Sequence, residues 1–219
     1  MRKIIIVGTS ELSMCFFRSL KYEKEYEVVA FTVNKEYITN NDIEGIPVVP
    51  FEELSQTLNM SECEIALTVG YKKMNDIREY FYNECKRQGY KILTYISPKA
   101  TVYTDIIGEG TLIYPGTYIG PYCEIGIANI IHMQVCVSHH IKTGNFNFFA
   151  GGTMIGGDVE IGSNCFIGMD NTIRNGIQIG DRVLIGAKNF VSKSLRSKFA
   201  FIGTESDKPL YSDFLVKYI

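Results

Sequence analysis

The 219-residue chain has no excess of either charge: 22 lysines and arginines stand against 24 aspartates and glutamates, a formal net charge of -2. Without a basic field it lacks the electrostatic footprint of a nucleic-acid binder. No apolar run approaches the ~20 residues of a membrane-spanning helix. The apolar stretch of the opening MRKIIIVG is too short for a secretion signal and reads as a strand. The six cysteines (Cys15, Cys63, Cys85, Cys123, Cys136, Cys165) form no CxxC pair and no metal-ligand cluster. They are expected to be reduced thiols of a cytoplasmic protein. Histidine is scarce as well. His132, His139 and His140 are the only three, all within nine residues.

What the chain does have is a period of six. From Ile107 to Val191 every sixth residue is a core-type side chain, with Thr143 the one polar exception. Glycine follows nine of these positions: Gly108, Gly120, Gly126, Gly144, Gly156, Gly162, Gly168, Gly180 and Gly186. Neither an α-helix nor a strand alternation repeats every six residues. A chain that lays down a short strand, turns and repeats does, and glycine is expected to serve the tight corner. Three hexads make one triangular turn of a left-handed parallel β-helix. Cys123 and Cys165, at the fifth hexad position, are expected to pack inside it.

Residues 1–95 read differently. Strands are expected at Lys3–Val7, Val28–Val33, Ile46–Val49, Glu64–Gly70 and Lys91–Tyr95, with helices over Glu11–Tyr22, about Phe51–Leu58, and about Met74–Gln88. Alternating strand and helix implies a Rossmann-like α/β domain, whose ligands bind beyond the carboxyl ends of the strands. The expected layout is therefore an α/β domain over 1–95 and a β-helix over 96–198. A tail, 199–219, is expected to cap the open end of the solenoid.

His139 and His140 fall at a hexad corner, facing solvent or a neighbouring subunit. An imidazole there suits a general base, since its neutral form prevails near neutral pH; the pair is equally readable as polar corner residues. Zinc held by three converging histidines, as in β-helical carbonic anhydrases, does not match their spacing, so no metal is expected. Lys188, Lys193, Arg196 and Lys198 are either phosphate partners or a solvated face, and the same alternative holds for Tyr71-Lys72-Lys73. The turn Gly8-Thr9-Ser10-Glu11-Leu12-Ser13 keeps a single glycine and is no GxGxxG dinucleotide site.

Over about residues 3–205 the chain resembles the sugar acyltransferases. That family includes bacterial sialic-acid O-acetyltransferases and acetyl-CoA-dependent N-acetyltransferases of UDP- or dTDP-linked 4-amino sugars. The stretches that carry the likeness are Ser138–Phe146 and Gly156–Gly168. The resemblance implies a cytoplasmic homotrimer that builds each active site between two subunits and joins acetyl-CoA and a nucleotide-linked sugar in one ternary complex. It implies His139 as the base, with His140 where several members carry an acidic helper. Phe148 stands where some have a second histidine near the acetyl group. It places Gly157, Met169, Ala187 and Lys188 along the acetyl-CoA groove. It places Gly8, Thr9, Ser10, Glu11, Leu12, Asn34 and Gly70 around the nucleotide sugar. Sugar O-acetylation is the nearest alternative, and a non-catalytic scaffold that kept the fold is another.

Overall fold

The structure, a computed structural model, describes residues 1–202. It divides into two compact units, Met1–Gly70 with Tyr80–Leu93, and Tyr71–Glu79 with the chain from Thr94 onward. The capping role expected of the tail falls, from residue 203, outside the described residues.

The first unit is an α/β layer. Strand β1 (Arg2–Val7) buries Ile4, Ile5, Ile6 and Val7 completely, as a central parallel strand covered on both faces must. Helix α1 (Glu11–Lys21) lays Phe16, Phe17 and Leu20 against the sheet side. Then come β2 (Tyr26–Val33), β3 (Asp42–Ile43), β4 (Ile46–Pro50), the short helix α2 (Leu54–Thr57), β5 (Cys63–Leu67), the part of α3 (Asp76–Arg87) from Tyr80 onward, and β6 (Lys91–Ile92). The strand order is β3-β4-β2-β1-β5-β6, parallel except for the β3–β4 hairpin. That hairpin was absent from the sequence reading because its turn uses Glu44 at φ 49° beside Gly45 at φ 80°. From β1 the chain runs outward on one side through β2, then returns to place β5 on the other side of β1. The loops after β1 and β5 therefore part at a topological switch point.

The second unit is a parallel β-helix. Its first face carries Tyr95–Ile96, Leu112–Ile113, Ile130–Ile131, Phe148–Phe149, Phe166–Ile167, Leu184–Ile185 and Ala200–Phe201. The second carries Thr101–Val102, Tyr118–Ile119, Cys136–Val137, Met154–Ile155, Thr172–Ile173 and Phe190–Val191. The third carries Glu124–Ile125, Lys142–Thr143, Glu160–Ile161 and Gln178–Ile179. Paired residues are 18 apart through the middle coils, as Tyr118 with Cys136 and Cys136 with Met154. The first coil is one residue shorter, pairing Thr101 with Tyr118. The last is two shorter, pairing Leu184 with Ala200, so residues 200–201 still belong to the coil.

The second residue of each strand points inward. Ile113, Ile131, Phe149, Ile167 and Ile185 form one fully buried file, each contributing about 1.5–3 kcal/mol by leaving water. Thr143 is tolerated in its own file because its Oγ1 accepts the Gly126 N–H at 3.3 Å. Inside the turns from the third to the first face, polar side chains ladder from coil to coil. Asn129 Oδ1 accepts the Asn147 N–H at 2.8 Å, and Asn147 Oδ1 accepts the Cys165 N–H at 2.7 Å. Cys123 and Cys165 lie buried in the interior, their Sγ atoms 3.1 Å from the carbonyls of Ser138 and Gly180.

The glycines act in a way the sequence reading did not foresee. At every sixth position from Gly110 to Lys188 the corner residue has a positive φ, and most of these are not glycine: Tyr122, Gln134, His140, Asp158 and Arg182 are examples. The repeated glycines that follow the inward residues are not left-handed at all. A Cβ on Gly168 would stand 2.8 Å from the Ala187 nitrogen of the next coil, and one on Gly156 would stand 2.6 Å from that of Asn175. Glycine is required there because successive coils approach backbone to backbone.

Residues 71–79 join this unit, although the sequence assigned them to the first domain. Lys73, Met74 and Asn75 have φ of 52°, 52° and 69°, a left-handed turn that delays α3 to Asp76. Asn75 Nδ2 donates to the Cys165 carbonyl at 3.0 Å. The fully buried Arg78 guanidinium donates to the carbonyls of Ala128 (2.8 Å), Phe146 (2.7 Å) and Asn147 (3.0 Å). Burial pushes the Arg78 pKa down to about 9, which leaves it charged at neutral pH. Arg182 and Asp76 add an ion pair at 2.6 Å.

Candidate functional site

His139 and His140 form the turn that takes the chain from the second face (Cys136–Val137) to the third (Lys142–Thr143). Residues 18 positions later sit one coil on, so Gly157 and Asp158 occupy the same corner. The Asp158 N–H donates to the His139 carbonyl at 3.1 Å. The His139 ring lies against the bare Cα of Gly157: a Cβ there would collide with Cε1 and stand 2.7 Å from Nε2 and 2.9 Å from Nδ1. The two imidazoles meet through Nδ1 and Nδ1 at 3.0 Å, nearly perpendicular. From the preceding coil, Tyr122 stacks on His140 at 4.7 Å. One ring nitrogen of each histidine and a carboxylate oxygen of Asp158 lie within 4.8 Å of one another, all exposed.

This arrangement fixes an exposed imidazole on a rigid β-helix corner with Nδ1 engaged, leaving Nε2 for proton transfer. The two histidines and the carboxylate are also a donor set that a divalent cation accepts. The sequence alone gives Asp158 no role. Adding 18 to 140 would have found it.

The other candidates are distributed more widely. His132 stands at the corner between the first and second faces, stacked on Tyr114 at 4.7 Å, and its burial holds its pKa below the usual imidazole range. The three histidines therefore do not converge. Met169, Ala187 and Lys188 share that first-to-second corner, on the opposite edge of the second face from Gly157. Phe148 is not at the surface beside His139. It lies on the first face, 6% exposed, against Phe166 at 5.7 Å and Tyr71 at 5.1 Å. The basic residues do not cluster either. Arg196 lines a depression of about 870 Å³ on the third face with Lys142, Glu160 and Gln178, while Lys188 and Lys198 occupy other corners.

In the first unit, Gly8, Thr9 and Ser10 follow β1, and Gly70 follows β5, so they meet at the switch point. Gly8 has φ 116° and a Cβ there would press on Ser13 and Thr68. Thr68 Oγ1 ties the two loops, 2.8 Å from both the Val7 carbonyl and Ser13 Oγ. Ser10 occupies the N-cap of α1 without bonding its amides through the side chain, and Leu12 packs 3.6 Å from where a Gly70 Cβ would be. Asn34, beyond β2, donates Nδ2 to Glu52 at 2.9 Å. A cleft of about 360 Å³ opens beside Thr9, lined by Met14, Ile38, Asn40, Asp42 and Val48. None of these last five residues was singled out by the sequence.

Residues 158–193 match the family described as bacterial transferase hexapeptide (six repeats). Solved structures resemble the chain over more of its length. The acetyltransferase domain of PglB from Neisseria gonorrhoeae, solved with acetyl coenzyme A, superposes with a TM-score of 0.82 at 22% identity, covering 95% of this chain and 99% of that one. PerB from Caulobacter crescentus, solved with CoA and GDP-perosamine, gives 0.80 at 23% identity over 92% and 94%. WeeI from Acinetobacter baumannii gives 0.72 at 18% identity over 91% and 96%. The chain shares the fold of these proteins along almost its whole length.

Proposed function

We propose that the protein is an acetyl-CoA-dependent N-acetyltransferase of a nucleotide-linked amino sugar, serving bacterial surface-glycan assembly in the cytoplasm. The observation that carries this reading is the exposed His139 ring, seated on Gly157 with Nδ1 held by His140 at 3.0 Å. The fold shared with PglB and PerB, solved with acetyl coenzyme A and with CoA and GDP-perosamine, supports it. The β-helix is read as left-handed and the first unit as Rossmann-like.

In this mechanism His139 Nε2 takes the proton of the sugar amine as its nitrogen attacks the thioester carbonyl. The C–N bond forms, the C–S bond breaks, and the proton leaves with CoA as the thiol. Holding both substrates in one complex supplies much of the acceleration, and no metal enters the reaction. Gly157, Met169, Ala187 and Lys188 flank the second face and are read as acetyl-CoA contacts. Phe148, buried on the first face, is read as shaping the wall behind its own strand rather than touching the acetyl group. Gly8, Thr9, Ser10, Glu11, Leu12 and Gly70, at a helix N-terminus on the switch point, are read as the sugar-nucleotide site, with Asn34 at its margin.

A homotrimer is part of the same reading. The second face exposes Met154 (53%) and Phe190 (62%) on either side of Thr172, and its corner exposes Met169 (57%), apolar side chains suited to a second copy of the chain. The test is acetyl-CoA binding by calorimetry and thiol release with paired amino- and hydroxy-sugar nucleotides. His139→Ala should keep fold and assembly yet lower turnover by about 10²–10⁴-fold. Near-normal turnover in that variant overturns the role of His139. Turnover of hydroxy sugars alone replaces N- by O-acetylation.

A further inference from the structure

The two histidines of the corner face each other through the same ring atom. Two Nδ1 atoms 3.0 Å apart share a single hydrogen, so one ring donates and its neighbour accepts. If His139 is to receive a proton on Nε2, its own hydrogen sits on Nδ1, and His140 must be the acceptor, neutral and protonated on its Nε2. The pair then has no carboxylate of its own to meet the charge that forms on His139. Asp158, one coil further on, brings a carboxylate oxygen within 4.8 Å of both rings. Its place is set by the coil: its N–H bonds the His139 carbonyl at 3.1 Å, and its φ of 59° is that of the corner.

We propose that His140 and Asp158 are positioning residues for proton transfer. His140 holds His139 in the Nδ1–H tautomer, and Asp158 supplies the negative charge that favours the imidazolium once the amine proton has arrived. Neither takes the proton itself. It passes from the amine to His139 Nε2 and on to the CoA sulfur as the C–S bond breaks. The titratable groups around the pair are Asp158 from the following coil and Tyr122, stacked on His140, from the preceding one. The inference rests on the acetyl-transfer reading.

The test compares kcat and KM for acetyl-CoA in the wild-type protein and its His140→Ala, His140→Gln and Asp158→Asn variants, with thiol release as the assay. Asp158→Asn should leave KM for acetyl-CoA unchanged and lower kcat by about tenfold. His140→Ala should lower kcat by about 10–100-fold, and His140→Gln, which restores an acceptor, should recover most of it. An Asp158→Asn or a His140→Ala protein of unchanged kcat, or a His140→Gln protein no better than His140→Ala, overturns the proposal. Wild-type protein that transfers no acetyl group removes the broader reading instead, so the two failures are distinct. Both positions are exposed, and an unchanged thermal midpoint confirms the fold of each variant.

Discussion

Gly157 offers the sharpest separation of folding from chemistry. Its φ is ordinary, so alanine fits the backbone, and the added Cβ meets nothing closer than the His139 ring. Nε2 would be 2.7 Å away and Nδ1 2.9 Å, against about 3.5–4.0 Å at optimal separation. The ring must therefore retreat by about 1 Å. The ring is exposed and can swing toward solvent once its contact with His140 is given up, so the cost to stability should be no more than about 0.5 kcal/mol, partly offset by the stiffer unfolded chain. A base displaced by that distance should cost about 10²-fold in kcat, or roughly 2.7 kcal/mol of transition-state stabilisation. Thermal melting and thiol-release kinetics on Gly157→Ala measure both quantities. Unchanged kcat would refute the seating of His139 on this glycine. A raised KM for acetyl-CoA with kcat intact would leave Gly157 as an acetyl-CoA contact and no seat for the base.

Two further outcomes follow from burial. His132 is half-buried and its folded-state pKa is depressed by desolvation, so below the unfolded value of about 6.5 the unfolded chain binds the extra proton. Stability should fall as pH drops through that region, and His132→Phe, which keeps the stack on Tyr114, should flatten this part of a denaturant-midpoint profile; an unchanged slope would show that other groups set it. Burial pushes the Cys85 and Cys165 thiols up to about 12, whereas Cys15 is exposed. A thiol reagent should label Cys15 at once and leave Cys85 and Cys165 untouched until unfolding, and rapid labelling of either by mass spectrometry would contradict the packing.

The β-helix was legible because one residue type recurs at one interval, and Ile107 to Val191 keeps that interval through the middle coils. The purpose of the glycines was not legible. A sequence shows that Gly168 recurs but not that the Ala187 nitrogen stands where its Cβ would go. The corner residues hid for a related reason: Tyr122, Gln134 and Arg182 adopt a left-handed backbone that their side chains do not advertise. Among the site residues, His139 and His140 were visible as rare imidazoles, while Asp158 required the coil length as well as the hexad. Arg78 looked like any helical arginine until three carbonyls converged on it. Residues 71–79 were misassigned because the left-handed turn at Lys73–Asn75, built without glycine, conceals where one unit hands over to the next.

The constant 18-residue coil also restricts how such a site can change over time. Inserting a single hexad after His140 would keep every inward side chain inward but carry Gly157 and Asp158 to a different corner. The base would lose its seat and its carboxylate without any loss of core. Inserting a whole coil would return both residues to the right corner about 4.8 Å too far along the axis. Length variation in the stretch that joins His139 to Asp158 is thus as damaging as substitution, whereas whole coils can be added beyond Lys188 with the candidate corner intact. Growth of the solenoid and tuning of its chemistry are, by this geometry, separable events.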